Sequence, residues 1–377
     1  SIGPAFMSGR ISDIQVHPHD KYTWFVSVAS GGLWKTTNGG IHWKPVFDRY
    51  GSYSVGTVTI DPNNPLIVWV GTGENNSQRS VAYGDGIYKS VDGGETFTKM
   101  GLEDSEHIAR IIVHPEDSNT VYVAAQGPLW RSGGDRGVYV TGDGGANWTK
   151  ILDISGDTGA TDLVIDPRNP EVMYAAAYQR RRRQWTLLDG GPEAGIYKTE
   201  DGGENWNKLT RGLPSGDVGR IALAISPQRP DVVYSLVDAA EGRGTYVSMD
   251  GGATWTRRSS YVSGSPQYYQ ELIVDPHQFD RVYSMDTFAQ VTEDGGRTWN
   301  AVGEQDKHID NHALWIDPDD ARHHLNGNDG GLYESFDSGQ TWRFVPNLPI
   351  TQYYKIAVGN DAPFYTVCGG TQDNATH

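Results

Sequence analysis

One short sequence recurs seven times in this chain and constrains its fold more than any other feature. Each copy reads Ser or Thr, any residue, Asp or Asn, Gly or Ser, Gly, two variable residues, then Trp or Phe. The copies begin at Thr36, Ser90, Thr141, Thr199, Ser248, Thr292 and Ser335, between 43 and 58 residues apart. A fixed signature at a period of roughly 40–50 residues predicts a propeller or a solenoid.

The chemistry of this signature is that of a tight turn. The hydroxyl and the carboxylate can accept bonds from nearby backbone N–H groups, and the glycines supply positive φ. A catalytic group would not be expected at seven equivalent turns. The third position is therefore predicted to be structural in every copy: Asn38, Asp92, Asp143, Asp201, Asp250, Asp294 and Asp337.

The signature resembles the Asp-box, or BNR, repeat found in sialidases, in xyloglucanase-type glycoside hydrolases and in the sortilin (VPS10) propeller. The resemblance covers essentially the whole chain, and it implies a β-propeller. It leaves function open, because those relatives include both hydrolases and receptors.

The segments between the signatures predict four short strands per repeat. The first strand ends at a proline, as at Pro18 and Pro62, where the ladder loses a donor. Four antiparallel strands repeated seven times predict an all-β, seven-bladed propeller with Asp-box turns. The predicted blades are 8–50, 51–103, 104–154, 155–213, 214–260, 261–303 and 304–348.

Residues 349–377 predict the start of an eighth repeat or of a following domain. Two alternatives to a single seven-bladed propeller remain: eight blades, with residues 1–5 adding an outer strand, or the first propeller of a tandem pair. The chain begins without Met and stops inside a repeat, so it is expected to be part of a longer protein.

Composition narrows the range of partners. A net charge of −16 disfavours nonspecific nucleic-acid binding, which needs a basic surface. No apolar run reaches membrane-spanning length. Cys368 is the single cysteine, so no internal disulfide can form. We expect an exported protein, either secreted, periplasmic or at the cell surface, with no cofactor. The sequence does not give the oligomeric state.

Side chains at the starts of the inner strands are expected to enter the central funnel and to form a polar site. Alternatively, they pair with one another and with channel water, as structural ion pairs do. The candidates are Arg10, His107, Arg110, Arg220, Tyr268 and His312.

Long inserts between the second and third strands supply further candidates, because loops on a rigid scaffold often carry binding sites. The run Arg180 to Arg183 can clamp a carboxylate or sulfate, or it is a solvated loop that pairs with the acidic surface. The insert candidates are Glu74, Arg79, Trp130, Arg131, Tyr178, Arg181 and Trp185.

Several acids are candidates for catalysis or for metal binding. In xyloglucanase-type relatives an Asp precedes the Gly-Gly pair of the first blade, but here Ser30 stands there. Asp329 holds that place in the seventh blade; Asp310 and Glu271 are the other catalytic candidates. His308, Asp310 and His312 alternate and would share one face of an extended strand, but no fourth ligand has a recognisable spacing.

These observations favour a binding module that takes a polysaccharide or a peptide at the funnel face. A glycoside hydrolase of xyloglucanase-like or sialidase-like type is the first alternative, so enzymatic activity stays open. The second alternative is an assembly or scaffold factor that binds a protein partner.

Overall fold

The computed structural model describes residues 9–77 and 81–373, and the regular structure in these ranges is β-strand. None of the described residues forms a helix long and apolar enough to cross a membrane. The all-β prediction is confirmed.

Seven four-stranded antiparallel sheets, the blades, follow one another along the chain. Blades one to three contain β1 (Ile11–His17), β2 (Asp20–Val28), β3 (Gly32–Thr36), β4 (Lys44–Pro45); β5 (Val55–Ile60), β6 (Val68–Thr72), β7 (Ile87–Ser90), β8 (Thr98–Lys99); and β9 (Ile108–His114), β10 (Asp117–Ala125), β11 (Gly137–Thr141), β12 (Thr149–Leu152). Blade four contains β13 (Thr158–Ile165), β14 (Met173–Arg183), β16 (Gly195–Thr199) and β17 (Asn207–Lys208), with β15 (Thr186–Asp189) paired to the end of β14.

The last three blades keep the same order. They contain β18 (Val218–Ile225), β19 (Val233–Ala239), β20 (Gly244–Ser248), β21 (Thr256–Ser259); β22 (Glu271–Val274), β23 (Val282–Met285), β24 (Gln290–Thr292), β25 (Asn300–Ala301); and β26 (Asn311–Ile316), β27 (His324–Asn328), β28 (Gly331–Ser335), β29 (Arg343–Phe344).

The ring closes where blade seven packs on blade one. Ile11 and Val26 of blade one share a buried apolar cluster with Leu325 and Leu332 of blade seven. The backbones approach closely there, since a Cβ on Gly327 would lie 2.5 Å from the Ile11 side chain. Seven blades therefore complete the ring, and the eight-bladed alternative is wrong.

A two-stranded hairpin follows the ring. It is formed by β30 (Tyr353–Val358) and β31 (Val367–Thr371), and all of β30 is exposed. The backbone N–H of Arg10 lies 3.4 Å from the Gln352 side-chain oxygen and connects the hairpin to blade one. Whether residues 349–377 begin a further domain stays a prediction. The outer strand predicted for residues 1–5 lies outside the described residues.

The Asp-box turns have the predicted structural role. In all seven, the Ser or Thr hydroxyl accepts the backbone N–H four residues later, over 2.8–3.0 Å. In blade seven the Asp337 carboxylate accepts the N–H and hydroxyl of Thr341. These carboxylates accept hydrogen bonds from their own turns, so their role is structural.

The hydrogen bonds of the turns make stability depend on pH. Bonds from Thr341 lower the pKa of Asp337 to about 2. At Asp294 burial opposes ionisation, but bonds from Thr298 outweigh it and lower the pKa to about 2. An unfolded Asp has a pKa of about 3.9. The stabilisation is thus complete above about pH 4 and is lost as the pH falls toward 2.

We predict that the double variant Asp294→Asn/Asp337→Asn loses less thermal stability than the wild type between pH 7 and pH 2.5. An amide does not titrate there, and Asn38 already occupies this position in blade one. The measurement is Tm by circular dichroism at both pH values. Equal losses of Tm in the two proteins would contradict this role of the carboxylates.

Candidate functional site

A loop from blade two closes one mouth of the central channel. Residues 73–77, here called the plug loop, follow β6 and are mostly buried. The Ser77 N–H donates to the carbonyl of Gln267 in blade six over 3.0 Å, and the Asn75 amide donates to Glu271 over 3.2 Å. A loop of blade two can reach blade six only by crossing the axis of the ring.

The Glu74 carboxylate connects the plug loop to a buried charge cluster. Arg10 donates to Glu74 over 2.7 Å and, through Nε, to Asp329 over 2.9 Å. His312 Nε2 lies 2.9 Å from the same Asp329 oxygen, and the Tyr268 hydroxyl donates to the other oxygen over 2.9 Å. Blades one, two, six and seven thus meet at this cluster.

The electrostatics of the cluster keep Asp329 ionised. Burial opposes its charge, but the His312 hydrogen bond and the Arg10 guanidinium outweigh it and hold the pKa of Asp329 well below its usual range. Burial raises the pKa of Tyr268 far above its usual value, so its hydroxyl stays protonated. Asp329 is therefore a poor proton donor, and its charge is already neutralised by its partners.

A second set of predicted residues lies beside this cluster. Arg110 donates to Asp162 over 3.2 Å, and Arg220 lies 3.8 Å from Glu271. Burial raises the pKa of Glu271, although Arg110 and Arg220 both oppose the shift. Arg10, Arg110 and Arg220 therefore form ion pairs within the funnel, as the alternative interpretation of the inner-strand candidates predicts.

The run of four arginines belongs to a strand, so the prediction of a loop is wrong. Residues Arg180 to Arg183 continue β14 and pair with β15. Arg180 is fully buried and donates to the Asn76 carbonyl and the Ser77 hydroxyl, each over 2.8 Å. Burial lowers the pKa of Arg180 to about 9, which leaves it charged at neutral pH. Arg180 therefore anchors the plug loop from blade four.

The other insert candidates do not gather at one place. Trp130 and Trp185 are exposed, and Trp185 lies just before β15. Arg131 pairs with Asp104 at the surface. Two more insert candidates have structural contacts: Tyr178 is buried and bonded to Asp189, and Arg181 lies 3.8 Å from Asp157. Of the candidates at the inner-strand starts, His107 is buried, and its Nδ1 lies 3.0 Å from the Glu74 carbonyl. Arg79 lies outside the described residues.

The geometry does not support a metal site at His308, Asp310 and His312. Strand β26 begins at Asn311, and Asp310 has a φ of 66°, so His308, Asp310 and His312 do not share one face of an extended strand. Asp310 accepts the Tyr269 hydroxyl. Single carboxylate oxygens of Asp310, Asp329 and Asp373 lie within 4.8 Å of one another.

The interior beneath the plug loop is too small for a sugar. A cavity lined by Arg10, Glu74, Tyr268, Glu271 and His312, among others, has a volume of about 20 Å³. One water needs about 10–15 Å³. The cluster is accordingly a structural centre of the funnel, with space for one or two waters.

An open groove lies beside the plug loop, between blades one and two and the hairpin β30–β31. Its volume is about 550 Å³. Four exposed tyrosines line it: Tyr53, Tyr83, Tyr353 and Tyr354. Ser30, the residue before the Gly-Gly pair of blade one, also lines it. We call this the tyrosine groove.

Sequence reasoning missed the groove and one anchor of the plug loop, Arg180. Tyr53 and Tyr83 lie in connections that carry no repeated pattern, and their common surface depends on the ring. The sequence prediction names Arg181 rather than Arg180, although alternation along a strand separates inward arginines from outward ones.

Comparison with known proteins agrees with the repeat pattern. The sortilin–Vps10 family (sortilin, neurotensin receptor 3) matches residues 85–216. The chain is an Asp-box propeller that resembles those of sortilin and the xyloglucanases. An oligoxyloglucan-reducing end-specific xyloglucanase of Emericella nidulans is 25% identical over 218 residues, which cover 53% of this chain and 24% of that protein. A xyloglucanase of Paenibacillus sp. is 24% identical over 220 residues, 52% of this chain and 20% of that protein.

Solved structures show the same fold. A GH74 xyloglucanase from Xanthomonas campestris superposes with a TM-score of 0.71 at 16% identity, covering 100% of this chain and 59% of that chain. YCF48 bound to a D1 peptide superposes with a TM-score of 0.58 at 14% identity, covering 89% of this chain and 95% of that chain. The matched segment spans 24% and 20% of the lengths of these two xyloglucanases.

We predict that Arg10→Met lowers the free energy of unfolding by about 3–5 kcal/mol, because it leaves Glu74 and Asp329 buried without their partner. The measurement is urea unfolding at pH 7. The triple variant Arg10→Met/Glu74→Gln/Asp329→Asn removes those charges and should recover part of the loss. Arg322→Met is the matched control, because Arg322 pairs with Asp320 at the surface. An Arg10→Met protein as stable as the control would contradict the importance of this cluster.

Proposed function

We propose that this chain is an exported recognition module that binds a polysaccharide in the tyrosine groove. The observation that carries the proposal is the set of four exposed tyrosines around one groove of about 550 Å³. Large aromatic groups that line an open groove are typical of a binding surface.

The groove has the chemistry that a sugar chain requires. Tyrosine rings offer flat apolar faces to the C–H faces of sugars, and their hydroxyls can exchange hydrogen bonds with sugar hydroxyls. Tyrosine also loses little conformational entropy when it binds. Ser30, Thr351 and Gln352 add polar groups along the same surface.

Two observations favour binding over hydrolysis. Hydrolysis of a glycosidic bond normally uses two carboxyl groups, one of which must donate a proton. In the tyrosine groove, Ser30 occupies the place where the xyloglucanase-type pattern has an acid. Asp329, the other acid before a Gly-Gly pair, is held ionised by Arg10 and His312 below the plug loop.

A glycoside hydrolase remains the second candidate. The names of the curated relatives favour it, and both are xyloglucanases. Carboxylate oxygens of Asp310 and Asp373 lie within 4.8 Å of each other, and burial raises the pKa of Asp373, as a proton donor requires. This candidate requires that sugar is released as well as bound.

We predict that Tyr83→Ala and Tyr354→Ala each weaken the binding of xyloglucan oligosaccharides by about five- to tenfold, since a lost aromatic contact costs roughly 1 kcal/mol. The measurement is isothermal titration calorimetry. Tyr22→Ala is the matched control, because Tyr22 is also exposed but lies beside the Asp-box turn of blade one, where its carbonyl accepts the Gly39 N–H. It should bind as the wild type does.

A reducing-sugar assay on the same samples separates the candidates. Binding without release supports the recognition module. Release of reducing ends that is lost in Asp373→Asn would establish the hydrolase instead. Absence of binding to xyloglucan, cellulose and mixed-linkage glucan oligosaccharides would overturn the polysaccharide proposal and favour a protein partner.

A further inference from the structure

A second cavity lies on the far side of the ring from the tyrosine groove, between blades four and five. Its volume is about 220 Å³, and its walls are mainly apolar. Ile196, Val218, Ile221 and Val237 form the floor and belong to the buried core between the two blades. Leu209 and Leu213, which are partly buried, complete the walls.

The cavity lies at a position where two of the other repeats place a large apolar side chain. The fourth residue after the aromatic of the Asp-box signature is Phe47 in blade one and Leu152 in blade three. Both are buried in the core against the next blade. In blade four that position is Thr210, which is exposed and lines the cavity.

The connection that covers the cavity is fixed at both ends. The Trp255 N–H donates to the Arg211 carbonyl over 3.0 Å, and the Ala240 N–H donates to the Asp217 carbonyl over 3.1 Å. Between these anchors, Ser215 and Gly216 are exposed at the cavity. The hydrogen-bonded backbone of residues 211–217 therefore bounds the cavity, which opens to solvent beside this connection.

A lysine provides the charge at the opening. Lys208 lines the cavity and is exposed. Its ammonium donates to the Pro192 carbonyl over 2.7 Å. Glu193 is the acidic side chain that attracts this ammonium, although the two groups form no ion pair within 4.0 Å in the described part of the chain, so the ammonium can still bind an anion. Gly195 allows this arrangement, because a Cβ there would lie 2.5 Å from Cε of Lys208.

We propose that this cavity binds a small free carboxylic acid with an apolar ring or branched body. An engineered apolar cavity of about 150 Å³ accepts benzene. A cavity of about 220 Å³ accommodates such a ring and a short chain, with the apolar body against Ile196 and Val237. The carboxylate reaches Lys208 at the opening. This site is independent of the tyrosine groove and of the proposed polysaccharide.

The test uses 3-phenylpropionate as the probe, with 3-phenylpropan-1-ol and propionate as matched compounds. Binding is measured by isothermal titration calorimetry and by the shift in Tm. We expect 3-phenylpropionate to bind and to raise Tm, and the alcohol to bind about three- to fivefold more weakly, as the loss of one exposed ion pair implies. Propionate should not bind measurably, because it lacks the apolar body.

Three variants locate the site. Thr210→Phe restores the side chain found in blade one, so it should abolish binding and raise the Tm of the free protein. Thr256→Phe is its control, because Thr256 is exposed on β21, and it should bind as the wild type does. Lys208→Gln should bind the acid and the alcohol equally.

Each outcome bears on the proposal directly. Failure of 3-phenylpropionate to bind the wild type would overturn it, as would unchanged binding in Thr210→Phe. A preference for the acid that persists in Lys208→Gln would overturn the role of the lysine. None of these results depends on whether the protein binds sugars, so the two proposals can fail separately.

Discussion

The bonds of Arg10 are the interaction on which the closed ring depends. One guanidinium connects blade one to Glu74 of the plug loop and to Asp329 of blade seven. It therefore joins the first and last blades beside the apolar seam of Ile11 and Leu325. Apolar packing holds the seam together without direction, whereas these charge-assisted bonds fix how the two blades are oriented.

The cluster around Arg10 also determines where a ligand can bind. Because the plug loop covers the channel mouth and the buried charges are neutralised by one another, the cavity beneath the loop has space only for water. The surface that a ligand can reach lies farther out, at the connections between blades and at the hairpin that follows the ring. Binding then depends on features that differ between repeats, since the repeated residues are committed to the fold.

The fold was predictable from the sequence because its main determinants are local. Each Asp-box turn is formed by residues within eight positions. The conformation of a turn such as that of Ser90, Asp92 and Gly94 can therefore be predicted from these residues alone. The prolines that end the inner strands act equally locally. These signals predicted seven blades and their approximate limits.

The candidate site was predictable only in part, because its contacts join distant repeats. Arg10, Glu74, Tyr268 and His312 were each identified from position in their repeats, but their bonding to one cluster depends on ring closure. Asp329 was chosen as an acid, and its pairing with Arg10, 319 residues away, has no local signal. The tyrosine groove was missed for the same reason, because Tyr83 and Tyr354 become neighbours only when the chain has completed the ring.

The plug loop has a consequence for how such a protein can evolve. Genes with tandem repeats gain and lose copies by recombination, and a propeller built only on contacts between neighbouring blades could tolerate such changes. Here blade two bonds across the axis to blades four and six, at Arg180 and Gln267. A ring with one blade more or fewer would move these partners apart and leave buried polar groups unpaired. The number of blades is thus held by contacts across the centre as well as by packing around the circumference.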